Sequence, residues 1–133
     1  MKTPLDPRHK TRQKIVKLLF AESFLKQLKL HEGSLNTLSE RKIKSILNNL
    51  TAIDATIKNI APTLPVEKIN KIDLAILRLA VYEILIEKNA PPKVIVDEAV
   101  ELAKEFGGDT SPSFINGSLG RLFHNNKHEN SKI

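Results

Sequence analysis

Apolar residues recur at three- and four-residue spacing along almost the whole chain, the period of amphipathic α-helices. After Pro7 the stripe runs through Ile15, Val16, Leu19, Phe20, Phe24 and Leu28, and Gly33 with Ser34 is expected to end it. A second stripe, Ile43, Ile46, Leu47, Leu50, Ile53, Ile57 and Ile60, predicts one helix capped by Ser39 and stopped by Pro62 and Pro65. A short turn at 66–69 precedes a third segment that begins near Asp73. There Leu74, Leu77, Ala80, Val81 and Leu85 make the helix apolar on most sides, so it belongs in the middle of a bundle. Asn89, Ala90, Pro91 and Pro92 break the chain, with Pro92 suited to the first turn of the next helix. That helix turns Val96, Ala99, Val100, Ala103 and Phe106 inward, and Gly107 is expected to close it in the left-handed conformation. Ser111 and Pro112 read as a cap and first helical residue, and the last helix runs to about His124.

No strand alternation persists. Asn116-Gly117 has hairpin chemistry, but too little chain follows for a paired strand, so Gly117 is expected at a close helix–helix contact instead. The predicted fold is all-α, a compact bundle of about six or seven helices. One domain spans 1–124, and the polar segment 125–133 is expected to be disordered.

Composition narrows the class. At 133 residues and 41% hydrophobic content the chain can bury a core, which argues against full-length disorder. It has no cysteine, so disulfides, thiolate zinc sites and cysteine nucleophiles are excluded together. No apolar run is long enough to span a bilayer, and the basic N-terminus lacks the apolar stretch of a signal peptide. A cytoplasmic bacterial protein is the expectation.

The net charge of +6 is concentrated near the start of the chain. Lys2, Arg8, Lys10, Arg12, Lys14 and Lys17 face one acid, Asp6, within residues 1–17. Charge gathered this way makes a local field that attracts phosphates. Lys10, Lys14 and Lys17 fall within an arc of about 60° on a helix, and a polyanion would relieve their mutual repulsion.

Catalysis lacks a foothold. Asp97, Glu98, Glu101 and Glu105 form an acidic ladder without a nucleophile, a histidine nearby or a calcium loop, and read as a solvated face. His124 and His128 have metal-pair spacing but no third ligand in sight. No metal or cofactor is expected. Among the few aromatics, Phe114 stands out at a helix start after a Gly-rich loop, where it could stack on an unpaired base.

The order of motifs closely resembles the bacterial NusB family. The resemblance is densest where Asp73, Ala75-Ile76-Leu77-Arg78-Leu79-Ala80-Val81-Tyr82-Glu83 is followed by Pro91-Pro92-Lys93-Val94-Ile95-Val96-Asp97-Glu98-Ala99-Val100, Phe106-Gly107-Gly108 and Phe114-Ile115-Asn116-Gly117. At the N-terminus Arg8 to Arg12 resembles an arginine-rich start, with His9 and Lys10 where arginines are common. The resemblance implies a non-enzymatic antitermination factor that binds boxA RNA of nascent ribosomal transcripts. It would act together with NusE, a small-subunit ribosomal protein, in the RNA polymerase antitermination complex, with no small-molecule substrate and no membrane. By position it implies RNA contacts at Arg8, His9, Lys10, Arg12, Lys93 and Phe114, and a NusE-facing surface including Phe20 and Asp73. Phe20 replaces a common tyrosine, and Thr110 replaces a common aspartate beside the RNA. Two alternatives remain open from sequence: a relative of the RNA-binding part of ribosomal RNA cytosine methyltransferases, whose catalytic cysteines are missing here, and a helical adaptor without RNA binding.

Overall fold

The computed structural model of the chain describes residues 6–24 and 38–130; at 23, 24 and 124–130 it describes the backbone alone. Six α-helices and no strand occur among these residues: α1 Pro7–Phe24, α2 Leu38–Asn48, α3 Leu50–Ile60, α4 Lys71–Tyr82, α5 Pro92–Phe106 and α6 Ser111–Asn130. A 3-10 turn, Val66–Lys68, leads into α4, and a wider π-helical turn, Glu83–Glu87, follows it.

The most apolar helix lies at the centre, as its pattern predicts. α4 touches α1, α2, α3, α5 and α6, and Leu74 through Leu77 together with Leu79 through Tyr82 are buried along it. Around it pack Ile15, Val16 and Leu19 of α1, Ile43 and Ile46 of α2, Ile53, Ile57 and Ile60 of α3, Ile95 and Leu102 of α5, and Ile115 and Leu119 of α6. Each such side chain contributes about 1.5–3 kcal/mol on burial. The core is therefore built mainly from aliphatic stripes at helical spacing.

Several boundaries differ from the pattern. The stripe from Ile43 to Ile60 is two helices, because Asn49 interrupts it. The Asn49 Nδ2 donates to the Ser45 carbonyl at 2.7 Å, competing with the helical ladder, and its backbone caps α3. Ser39 does not cap α2, since Leu38 is already helical and Ser39 is buried within it. α4 starts two residues before Asp73, where the Asn70 side chain accepts from Ile72 N at 2.9 Å. α6 continues to Asn130, past the end suggested by polar composition at His124. The expected course of the first helix to Leu28 and its stop at Gly33 and Ser34 lie outside the described residues, as do Ser131 to Ile133.

Two glycines have roles other than those expected. Gly107 is not left-handed: its φ is −92°. It is required by proximity, since a Cβ there would lie 2.5 Å from Ser111 Cβ and Oγ and 2.8 Å from the Ala103 carbonyl. Gly117 faces open space, with nothing within 4 Å of a Cβ, and makes no helix–helix contact. Gly107→Ala is expected to cost about 1–3 kcal/mol in urea unfolding, because the α5–α6 loop must shift to admit the methyl. Gly117→Ala, in an open helical position, should instead gain stability, by up to about 1 kcal/mol.

Candidate nucleic-acid interface

α1 presents the basic groups, and its start is well specified. The Asp6 carboxylate accepts from Arg8 N at 2.9 Å, the Asp6 carbonyl accepts from Lys10 N at 3.1 Å, and Pro7 is the first helical residue. The helix then sorts its cations by exposure, with Lys10, Lys14 and Lys17 on the outer face and Arg8 exposed at the helix start, on the Arg12 side. Arg8, Lys10, Lys14 and Lys17 are exposed, whereas His9 and Arg12 are buried. Lys17 Nζ stands 5.4 Å from the Phe106 ring centre, a cation–π contact that ties the strip to the end of α5.

The buried cations are met by carboxylates from distant segments. Arg12 makes a forked contact with Glu83, Nε to Oε2 at 2.9 Å and Nη2 to Oε1 at 2.8 Å, and lies 3.5 Å from Glu98. Burial disfavours the Arg12 cation, but its bonds to Glu83 and the charges of Glu83, Glu98 and Glu87 outweigh that and push its pKa up. Lys42 of α2 reaches Glu83 at 3.3 Å and Glu87 at 3.0 Å. The π turn brings both glutamates to Lys42 and closes with Lys88 in the left-handed conformation, φ 56°, its N–H donating to the Glu83 carbonyl at 2.9 Å. His9 is held between Glu98 and Glu105 of α5, and Gln13 also donates to Glu105.

The residues singled out from sequence therefore separate into two ends of the bundle. Arg8, Lys42 and Ala90 border one cleft of about 250 Å³, and exposed Lys93 begins α5 at that end. Phe114 lies at the other end, half-buried, beside a groove of about 520 Å³ that it shares with Lys68, Asn70, Asp73 and Thr110. Asp73, in the first turn of α4, and Glu83, just beyond its last, are about 15 Å apart along the axis. Lys93 and Phe114 are thus not adjacent. The exposed lysines of α1 run between the two ends, from Lys10 to the Lys17–Phe106 contact beside the loop that leads to Phe114.

Of the two residues considered for a protein partner, Phe20 is half-buried and packs against the core. Asp73 is 7% exposed, and burial pushes its carboxyl up from the usual aspartate range, with the Ser111 hydroxyl opposing. Its Oδ1 is buried without a hydrogen-bond partner among the described residues. Phe106 is half-buried, and the side chains of Phe24, His124 and His128 lie outside the described residues. Among the described residues no cluster of three His, Asp or Glu could hold a metal ion, and no helix is long and apolar enough to cross a membrane.

A model of the NusB family matches residues 6–123, nearly the whole described bundle. The chain belongs to the NusB family. Relatives include the transcription antitermination protein NusB of Alkaliphilus oremlandii (strain OhILAs), 43% identical over 96 residues that make up 69% of this chain and 70% of that protein. The protein of the same name from Clostridium botulinum (strain Loch Maree / Type A3) is 45% identical over 83 residues, 62% of this chain and 59% of that one. The solved NusB of T. maritima superposes with a TM-score of 0.76 at 33% identity, covering 92% of each chain. A structure of the antitermination factors NusB and NusE in complex with dsRNA matches with a TM-score of 0.71 over 88% of this chain and 96% of that one. At 18% identity the second likeness concerns the fold alone. NusB proteins are non-enzymatic antitermination factors.

Sequence reasoning missed the carboxylates that organise this NusB bundle. Glu98 and Glu105 belong to the ladder read as solvated, yet Glu98 is 3% exposed. A signal was present: Ile95, Ala99 and Leu102 flank Glu98 at helical spacing and are all buried, so the inward arc of α5 includes it. Val96 and Val100, expected to point inward, sit at the edge of that arc and are only half-buried, and Phe106, on the same face as Ile95, is half-buried as the last residue of α5. Asp97 is exposed, and Glu101 pairs at 3.4 Å with Lys104, so that part of the ladder does face solvent.

Proposed function

We propose that this chain is a bacterial cytoplasmic antitermination factor that binds boxA-type single-stranded RNA of nascent ribosomal transcripts together with NusE, supporting processive transcription by RNA polymerase. The observation that carries this reading is the exposed basic strip of α1, held rigidly from beneath by buried ion pairs. Family membership and the shared fold support it. Arg8, Lys10 and Lys93 would contact phosphates, and Phe114 would stack on a base at the far end of the strip. His9 and Arg12 would contribute by fixing the helix that carries the contacts. Phe20 and Asp73 would lie on the NusE-facing side, Asp73 through the groove it lines with Lys68, Asn70 and Thr110.

RNA running along α1 accounts for the separation of Lys93 from Phe114. The test is titration of boxA-like, scrambled and duplex RNA over a salt series, with and without NusE. The duplex arm is included because a solved relative with NusE also holds dsRNA. Alanine at Arg8, Lys10 and Lys93 together is expected to flatten the salt slope by about 2–3 units and weaken every RNA. An unchanged slope in a folded variant would sink the basic-strip reading, and equal affinity for scrambled RNA would sink boxA preference.

A further inference from the structure

His9 has an arrangement that its role as an anchor does not explain. Its side chain is 9% exposed, with Nδ1 2.7 Å from Glu98 Oε2 and Nε2 against Glu105 Oε1. A neutral imidazole carries one N–H and can donate to one carboxylate only, leaving its other nitrogen's lone pair facing a second anion. Both contacts are favourable when the ring carries two protons. The geometry thus selects the imidazolium.

We propose that His9 is a proton-operated clasp between α1 and α5: protonated, it locks the basic helix onto the bundle, and on losing its proton it loosens the strip and weakens RNA binding. The RNA half of this statement rests on the function proposed above; the clasp itself does not.

The surrounding charges make the clasp sensitive to this one proton. From α5 the groups facing His9 are Glu98 and Glu105. On α1 itself Arg12 lies 3.5 Å from Glu98, and Gln13 donates to Glu105. Beyond Arg12 stand Glu83 and Glu87 of the π turn, and Lys42 of α2 pairs with both. Arg12, whose pKa is pushed up, keeps its charge across the physiological range and cannot release the helix. Deprotonation of His9 removes its charge-assisted contact to Glu98, whose distance to Arg12 is the longer 3.5 Å, while Glu105 keeps Gln13. Solvent reaches the ring from the Glu105 side, whose side chain is 32% exposed against 4% for Glu98.

Burial lowers the His9 pKa, but the hydrogen bonds and charges of Glu98 and Glu105 outweigh it, and the result lies above the ordinary 6.5. A folded-state pKa above the unfolded value means stabilisation fully present below about pH 6.5. It is lost as pH rises through the raised value.

The experiment uses the full chain labelled with 15N-histidine, with His9 assigned by comparison with His9→Arg, whose charge does not titrate. Imidazole shifts and affinity for a boxA-like RNA are followed from pH 6 to pH 9. His9 should titrate above 6.5, with both nitrogens protonated at pH 6. Wild-type affinity should fall about tenfold more than that of His9→Arg, roughly the loss of one charge-assisted hydrogen bond. A His9 ring that is neutral at pH 6, or that titrates at or below 6.5, overturns the clasp. Parallel pH profiles for the two proteins overturn its link to RNA. If neither protein binds RNA at any pH, the proposed function fails instead. The clasp is then decided by the ring titration and by α1 amide exchange, which should quicken above the His9 pKa in the wild type relative to His9→Arg.

Discussion

Glu83→Gln is expected to destabilise the protein by about 3–5 kcal/mol in chemical denaturation at pH 7, the cost of breaking a buried pair by removing one partner. The side chain is 4% exposed, and its carboxylate accepts both arms of Arg12 and the Lys42 ammonium. The amide that replaces it keeps the volume but points a donor at two cations. Lys42 retains Glu87 at 3.0 Å, whereas Arg12 retains only Glu98 at 3.5 Å, which His9 already engages. Arg12 is therefore the orphan. Replacing both members, Arg12→Met with Glu83→Leu, should recover most of the loss, because Lys42 keeps Glu87 and Glu98 keeps His9. A single variant that loses less than about 1 kcal/mol would mean that the network is solvated and behaves as a surface ion pair.

This network also marks how far the sequence could be read. Pro62 and Pro65 cannot continue a helix and Pro91 and Pro92 suit the start of one, so these breaks are visible from local chemistry. The centrality of α4 was legible for a similar reason, since apolar residues on most faces leave a helix nowhere else to go. The break at Asn49 was not. It interrupts an unbroken apolar stripe with a residue that helices tolerate, and only the side-chain bond to the Ser45 carbonyl distinguishes it. The π turn at Glu83–Glu87 is equally silent, because nothing in its residues forbids an ordinary α-turn.

At the candidate interface the basic strip was legible and the sorting of its cations was not. Lys10, Lys14 and Lys17 share a face by spacing alone, and all three are exposed. His9 and Arg12 fall on the other face of the same helix, beside Ile15, Val16 and Leu19, whose burial was already expected. Their partners lie 89 and 71 residues away, at Glu98 and Glu83. No periodicity links positions so distant. A charge count could say that the N-terminus attracts anions, but not that the nearest anions are the protein's own.

The second large effect separates fold from function. Ile76→Ala removes three methyl or methylene carbons from a side chain with no exposed surface, on the helix against which most of the bundle packs. The expected loss is about 2–5 kcal/mol, combining the transfer term with the cavity left where neighbours cannot close in. Those neighbours belong to separate helices anchored by their own contacts, so collapse into the gap should be partial and the loss should fall in the upper half of that range. Ile76 touches no exposed cation. Its loss should leave the RNA salt slope unchanged when affinity is measured well below the unfolding midpoint. The Arg8, Lys10 and Lys93 variant should do the reverse, keeping the midpoint and losing slope. An Ile76→Ala protein that stays folded yet binds RNA with a flattened slope would show that α4 packing sets the placement of the α1 strip, beyond what the ion pairs hold.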